Sequence, residues 1–214
     1  EGIGYRIGLR AFGIGNLFLV ANPLSHLLVR ALDELVEKTQ CTAYFAILEK
    51  DEIIILNYRE GTLPIRFIWQ VGDRLPVHTT ALGKAMLAHM SPQEIDRHLG
   101  KGKTLRGLTE KSIRTREELD DDIEKTRERG WGLARQESHA GLTAVGSAIL
   151  NEAGQPSEAI SISCLDYQPN LKRLQQYASV VQAVAYDVSR KIAEYGNYGS
   201  NISHESWATP TQRA

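Results

Sequence analysis

Leu75-Pro-Val-His-Thr-Thr-Ala-Leu-Gly-Lys-Ala-Met-Leu-Ala88 is the stretch from which this chain is read. Pro76 fixes its own φ and pushes Leu75 into extended backbone. Thr79 or Thr80 then offers a side-chain oxygen to the orphan N–H groups of a helix's first turn. Leu82, Met86 and His89 follow at helical spacing, so the stretch predicts an extended segment running into a helix from Thr80 to Met90. Gly83 sits one turn in, where glycine costs about 1 kcal/mol relative to alanine. A close approach of backbone or ligand is the usual reason for such a cost. Free N–H groups, a positive dipole end and little side-chain bulk are the ingredients of an anion pocket. An ordinary capped helix packed on a sheet has the same features, so both readings stand on the stretch alone.

Working outward, Ile65 to Val71 precedes this segment as a predicted strand, closed by Gly72-Asp73. Cys41 to Leu48 and Ile53 to Tyr58 are two further strands, joined at Lys50-Asp51-Glu52 as a hairpin. On the N-terminal side, Asn22-Pro23 starts a helix with the stripe Leu24, Leu27, Leu28, Ala31, Leu32 and Leu35. Tyr5 to about Val20 reads as a looser helix that needs a partner surface. The abrupt start suggests a domain from a longer chain.

On the C-terminal side, Ser91-Pro-Gln-Glu94 and Thr115-Arg-Glu-Glu118 are capping boxes, each opening a helix. Gly100 to Gly107 reads as a solvated, mobile basic loop. Asp120 to Asp122 point in different directions on a helix, so they read as a solvated face rather than a metal site. Gly130-Trp-Gly132 ends that helix. Leu133 to Glu137, Thr143 to Leu150 and Ser157 to Leu165 are extended, with Asn151 to Gln155 as a hairpin loop. A long helix runs from Asn170 to about Glu194, and 196–214 is a polar tail. The order predicts one α/β (α+β) sensor-type domain over 1–195, with a mostly antiparallel sheet rather than a doubly wound parallel one.

The 214 residues suffice for a sizeable core. A net charge of −1 leaves no electrostatic footprint for DNA or an anionic membrane. No early apolar stretch reaches the length of a span, and the expected location is the cytoplasm. Cys41 and Cys164, the two cysteines, read as buried and reduced. His78, His89, His98 and His139 are scattered, and no CxxC, HExxH, P-loop or GxSxG motif is present. Nothing requires a triad such as His78 with Ser161, so the chain is not read as an enzyme and implies no cofactor or metal.

The strand Ala159-Ile-Ser-Ile-Ser-Cys164 is more informative. Alternation sets Ser161 and Ser163 on one face, with Ile160, Ile162 and Cys164 on the other. The strand Thr143 to Ala148 has a small-residue face of Ala144, Gly146 and Ala148. Room beside paired hydroxyls and a helix start makes a plausible ligand cavity, while a wet sheet face is the alternative.

With these motifs in order, the chain resembles the effector-binding domain of IclR-family transcriptional regulators over about residues 4 to 195. The motifs are Tyr5-Arg-Ile-Gly-Leu9, the 75–85 stretch, Leu108-Thr109, Arg129-Gly-Trp-Gly132 with Glu137, Gly141 and Ala159-Ile-Ser-Ile-Ser163. The resemblance implies a GAF-like domain with a curved, mostly antiparallel sheet of about six strands flanked by helices. It implies a winged helix-turn-helix DNA-binding domain outside these residues, with 1–20 following the linker. Partners would be a small organic or aromatic acid, a homodimer or tetramer, and DNA through that other domain.

Carried over by position, the ligand pocket falls on Ala81 and Leu82 at the helix start. It continues with Phe67 and Leu75 on an apolar wall, Ala134 and Ala144, and Ser161 and Ser163 on the last strand; Phe67 and Trp69 would add stacking surface. Ala134 stands where relatives binding small carboxylates have an acidic residue. Ala144 replaces a cysteine, and Gln168 an arginine. These departures imply a roomier, less polar pocket and a larger or aromatic ligand. A stand-alone binding module and a hydrolase-type enzyme are the alternative readings.

Overall fold

The structure, a computed structural model, describes residues 25–63, 69–101, 104–165 and 170–194. The expected first helix, the stripe residue Leu24, Phe67, Gln168 and the polar tail lie outside them.

The elements run α1 (Ser25–Thr39), β1 (Thr42–Glu49), β2 (Glu52–Arg59) and β3 (Arg74–Pro76). A 3-10 turn at Val77–Thr79 leads to α2 (Ala81–Leu87), α3 (Pro92–Leu99) and α4 (Arg116–Arg129). Then come β4 (Gly132–Arg135), β5 (Leu142–Leu150), β6 (Pro156–Leu165) and α5 (Leu171–Glu194). The strands form one six-stranded sheet in the order β3-β2-β1-β6-β5-β4. All five neighbouring pairs are antiparallel.

Each face of the sheet carries its own core. Leu28, Leu32 and Leu35 of α1 and Leu174, Ala178, Val181 and Val188 of α5 cover one face, against Phe45, Val145, Ile160 and Ile162. Period-2 alternation sends Tyr44, Ala46, Leu48 and Ala159 to the other face, where Leu82 and Met86 of α2, Ile95 of α3 and Leu119 and Ile123 of α4 cover them. Both capping boxes form, with Ser91 and Thr115 each accepting from the N–H of the glutamate three residues on. Gly130 ends α4 in the left-handed region at φ 78°.

The structure corrects four expectations. Residues 69–73 are not a strand. Asp73 accepts from Gln70 N–H at 2.7 Å and Gly72 turns the chain at φ 93°, so the third strand forms later, at Arg74–Pro76. Helix α2 stops at Leu87 rather than Met90: His89 and Met90 N–H turn to the carbonyls of Met86 and Leu87, three residues back, and the Arg127 guanidinium takes the carbonyls of Ala88 and Met90 at 2.9 and 2.8 Å. The basic loop is anchored: Leu105 is buried and its N–H bonds the Arg114 carbonyl at 2.9 Å. Asp122 is not on a solvated face, since it pairs with the buried Lys84 at 2.9 Å.

Candidate effector-binding site

Helix α2 begins at Thr80, whose hydroxyl accepts from Gly83 N–H at 2.9 Å while its own backbone stays extended. The first-turn amides of Ala81 and Leu82 have no intrahelical acceptor. Three glycines set where this helix lies. A Cβ on Gly83 would stand 2.0 Å from the Val77 carbonyl oxygen, so Gly83 lets α2 fold back on the 3-10 turn before it. Cβ atoms on Gly132 and Gly146 would stand 2.1 and 2.8 Å from the Ala81 carbonyl oxygen. These two, rather than Gly83, let the helix start rest on the sheet.

Sheet register places several of the expected site residues side by side. Ser163 faces Thr42 on one side and Ala144 on the other, and Ala144 faces Ala134. Thr42, Ser163, Ala144 and Ala134 therefore form one cross-strand row. The adjacent row is Tyr44, Ser161, Gly146 and Gly132, and the helix start covers its glycine end. All eight side-chain positions share the α2 face, as strand alternation requires.

Ala81, Leu82, Leu75, Ala134, Ser161 and Ser163 are buried, whereas Ala144 and Trp69 are half-buried. The buried Ser163 hydroxyl has no partner at full hydrogen-bond geometry among the described residues, but it lies close enough to the Tyr44 hydroxyl to act on that group. A buried hydroxyl left without a full hydrogen bond costs about 1–3 kcal/mol, which a bound polar group would recover. Tyr44 stands beside it. Its hydroxyl accepts from Trp69 N–H at 3.2 Å, and burial pushes its pKa up. Trp69 and Leu75 pack with the same core as Leu82.

His78, in the 3-10 turn, is also buried, with the Arg106 backbone as its nearest polar partner and neither ring nitrogen at full hydrogen-bond geometry among the described residues. Desolvation pushes its pKa down to about 4; the hydrogen-bonding contact with the Arg106 backbone and the Asp51 charge oppose this, while the nearby Lys84 charge adds to it. No hydrogen bond joins His78 to Ser161 or Ser163, so these residues do not assemble a nucleophile–base pair.

Sequence reasoning missed one cluster. Lys84, 1% exposed, places Nζ 2.8 and 2.6 Å from the two Glu137 carboxylate oxygens and 2.9 Å from Asp122 Oδ2. Burial raises the Glu137 pKa, opposed by the Lys84 charge and its hydrogen bond. The β4–β5 loop that holds Glu137 is itself held. Thr109 Oγ1 donates to the Gln136 carbonyl, and Ser112 Oγ to the Glu137 carbonyl, both at 2.6 Å. Leu108-Thr109, Lys84 and Glu137 thus form a clamp fixing α2 against β4 and α4. A lysine between Leu82-Gly83 and Ala85-Met86 on a helix was the available sign, because a buried ammonium demands carboxylate partners.

A cleft of about 700 Å³ lies elsewhere, between α1 and α5 on the far side of the sheet, and none of the expected site residues lines it. It is rimmed by Arg30, Glu34, Glu37, Lys38, Asp187 and Lys191. Several of these charges pair among themselves at exposed positions, so nothing there demands a ligand.

Residues 17–190 match the family described as bacterial transcriptional regulator IclR C-terminal. The chain is 29% identical over 187 residues to the transcriptional repressor IclR of Escherichia coli K12, covering 86% of this chain and 68% of that protein. Among solved structures, the IclR protein of Thermotoga maritima superposes with a TM-score of 0.79 at 23% identity, covering 86% of this chain and 74% of that one. The inducer-binding domain of Acinetobacter PobR, a double mutant solved with 3-hydroxybenzoic acid, superposes with a TM-score of 0.64 at 20% identity, covering 75% of this chain and 94% of that one.

Proposed function

Because the chain belongs to the IclR family of bacterial transcriptional regulators, as a C-terminal effector-binding domain, we propose that it senses an aromatic or similarly sized organic acid in the space between the start of α2 and the Thr42–Ser163–Ala144–Ala134 row. The observation that supports this reading is the row Thr42–Ser163–Ala144–Ala134, which sets a buried hydroxyl, shared only with Tyr44, beside two small side chains on the sheet face that α2 covers. The α2 amides of Ala81 and Leu82 receive the carboxylate, and the Ser161 and Ser163 hydroxyls hold a polar group on the ligand. Phe67, Trp69 and Leu75 supply apolar surface. Ala134 and Ala144 leave room for a ring. The 3-hydroxybenzoic acid bound to the PobR inducer-binding domain supports this class of ligand.

The domain acts within a cytoplasmic homodimer or tetramer, and binds DNA through a winged helix-turn-helix domain outside these residues. Effector binding shifts the quaternary arrangement and hence DNA affinity, with a coupling of about 1–3 kcal/mol. The domain performs no catalysis, since a sensor needs only differential affinity for two states.

Thermal unfolding with a panel of acids tests the reading. At a hundredfold excess over Kd, a site ligand adds about 2.7 kcal/mol, which raises Tm by about 5–10 °C for a domain of this size. Hydroxybenzoate-sized acids should give this shift, and Ser163→Val or Ala134→Asp should abolish it. Shifts only with glyoxylate- or pyruvate-sized acids, or shifts unaffected by both substitutions, would overturn it.

A further inference from the structure

The two cysteines of the chain meet across the sheet. Thr42 pairs with Ser163 and Ala43 with Ile162, so one step outward Cys41 stands directly opposite Cys164. Both are buried and unlinked, and both face the α1 and α5 side. Directly opposed residues on antiparallel strands have Cα atoms about 4.5–5.5 Å apart, within the range of about 4.4–6.8 Å that a disulfide spans.

Their surroundings are not inert. The Cys41 sulfur interacts with the Cys164 sulfur, the Tyr177 hydroxyl, Thr39 and the positive charge of Arg173. These act together to hold the Cys41 thiol below its usual range against the opposing effect of burial. Arg173 Nε donates to the Tyr177 hydroxyl at 2.8 Å, and its guanidinium lies 5.2 Å from the Tyr177 ring centroid. Arg173 is exposed and Tyr177 half-buried, so this pair connects the sulfurs to solvent at the first turns of α5.

We propose that Cys41 and Cys164 are a peroxide-oxidisable dithiol that closes to a reversible intrachain disulfide between β1 and β6. The Cys41 thiolate attacks one oxygen of hydrogen peroxide. The O–O bond breaks, Cys41 becomes a sulfenic acid, and the departing hydroxide takes up a proton to leave as water. The Cys164 sulfur then attacks Cys41 Sγ. The S–O bond breaks, and the hydroxide released takes the Cys164 proton as a second water. The two thiols lose two electrons and one peroxide becomes two waters. A dithiol reductant reverses the bond by exchange. Because Thr42 and Ser163 directly follow and precede these cysteines in sequence, the bond also locks the strand pair beneath the Ser163 row. The proposal does not depend on which ligand that row binds.

Treating the full chain with hydrogen peroxide and mapping its peptides without reduction tests this. The expected product is a monomeric chain lighter by two hydrogens, with the Cys41 and Cys164 peptides joined and released by dithiothreitol. Cys164→Ser should leave Cys41 trapped as a sulfenic acid that dimedone labels. Arg173→Gln and Tyr177→Phe, which leave both sulfurs in place, should slow cross-linking about three- to tenfold. Two alkylatable thiols after treatment, cross-links only between chains, or over-oxidation without a joined peptide would overturn the proposal. So would unchanged cross-linking rates in both α5 variants.

Discussion

Lys84 shows what one side chain can impose. Its ammonium is almost fully buried, and Glu137 and Asp122 share it. Taking either partner away leaves a charge in the core without compensation. Lys84→Met should therefore destabilise the domain by about 3–5 kcal/mol in denaturant unfolding. The double variant Lys84→Met, Glu137→Leu should recover a large part of that loss, because an apolar pair of similar volume carries no desolvation cost. A loss in the double variant equal to the two single losses added would mean the pair is not a coupled unit. At this scale the Thr80 cap could be read from sequence, because a cap is a contact over three residues. The Lys84 partners lie 38 and 53 positions away in the chain, and only packing joins them.

At the scale of elements, α2 is short and its position depends on the strands beneath it. Gly146 and Gly132 face the Ala81 carbonyl with no room for a methyl group. Gly146→Ala should push the start of α2 off the sheet and destabilise the domain by about 1–3 kcal/mol. It should also weaken effector binding more than it lowers Tm, because the displaced amides belong to the proposed site. A variant with full ligand affinity would show that the α2 start takes no part in binding. The capping boxes of α3 and α4 and the alternation in β6 were legible, since each repeats on a period of three to four or of two residues. The non-strand conformation of 69–71, the described part of the strand expected at 65–71, was not. The Gln70–Asp73 turn ends that part, and the described pairing with β2 is at Arg74–Pro76. The two cross-strand rows were also illegible, because register is a relation between strands.

For the molecule as a whole, two buried groups give stability a dependence on pH with opposite signs. Glu158 is buried on the α1 and α5 face, and desolvation raises its pKa from 4.5 to about 7. The unfolded chain ionises it first, so stability falls as pH rises from about 4.5 through about 7. The full penalty is on the order of 3 kcal/mol. Glu158→Gln should match the parent near pH 4 and exceed it by about that amount at pH 8.5 in denaturant unfolding. Equal curves at both pH values would refute the assignment. His78 acts in the other direction. Its folded pKa is depressed from 6.5 to about 4, so the unfolded chain takes up the proton first and stability is lost as pH falls through that interval. Glu137, also raised by burial, adds to the Glu158 trend.

Periodicity, caps and turn residues lie within a few positions of one another, so the sequence by itself determined the number and type of most elements, the antiparallel character of the sheet, and the separation of Ser161 and Ser163 from Ile160 and Ile162. Its motifs also pointed to the family. Tertiary structure alone decided that Ser163, Ala144 and Ala134 share a row, that Gly132 and Gly146 seat α2, that Asp122 and Glu137 neutralise Lys84, and that Cys41 stands across from Cys164. Each of these is a contact between distant parts of the chain. Local preferences set which way a side chain points from its own backbone, while the partner it meets there depends on the register and stacking of whole elements.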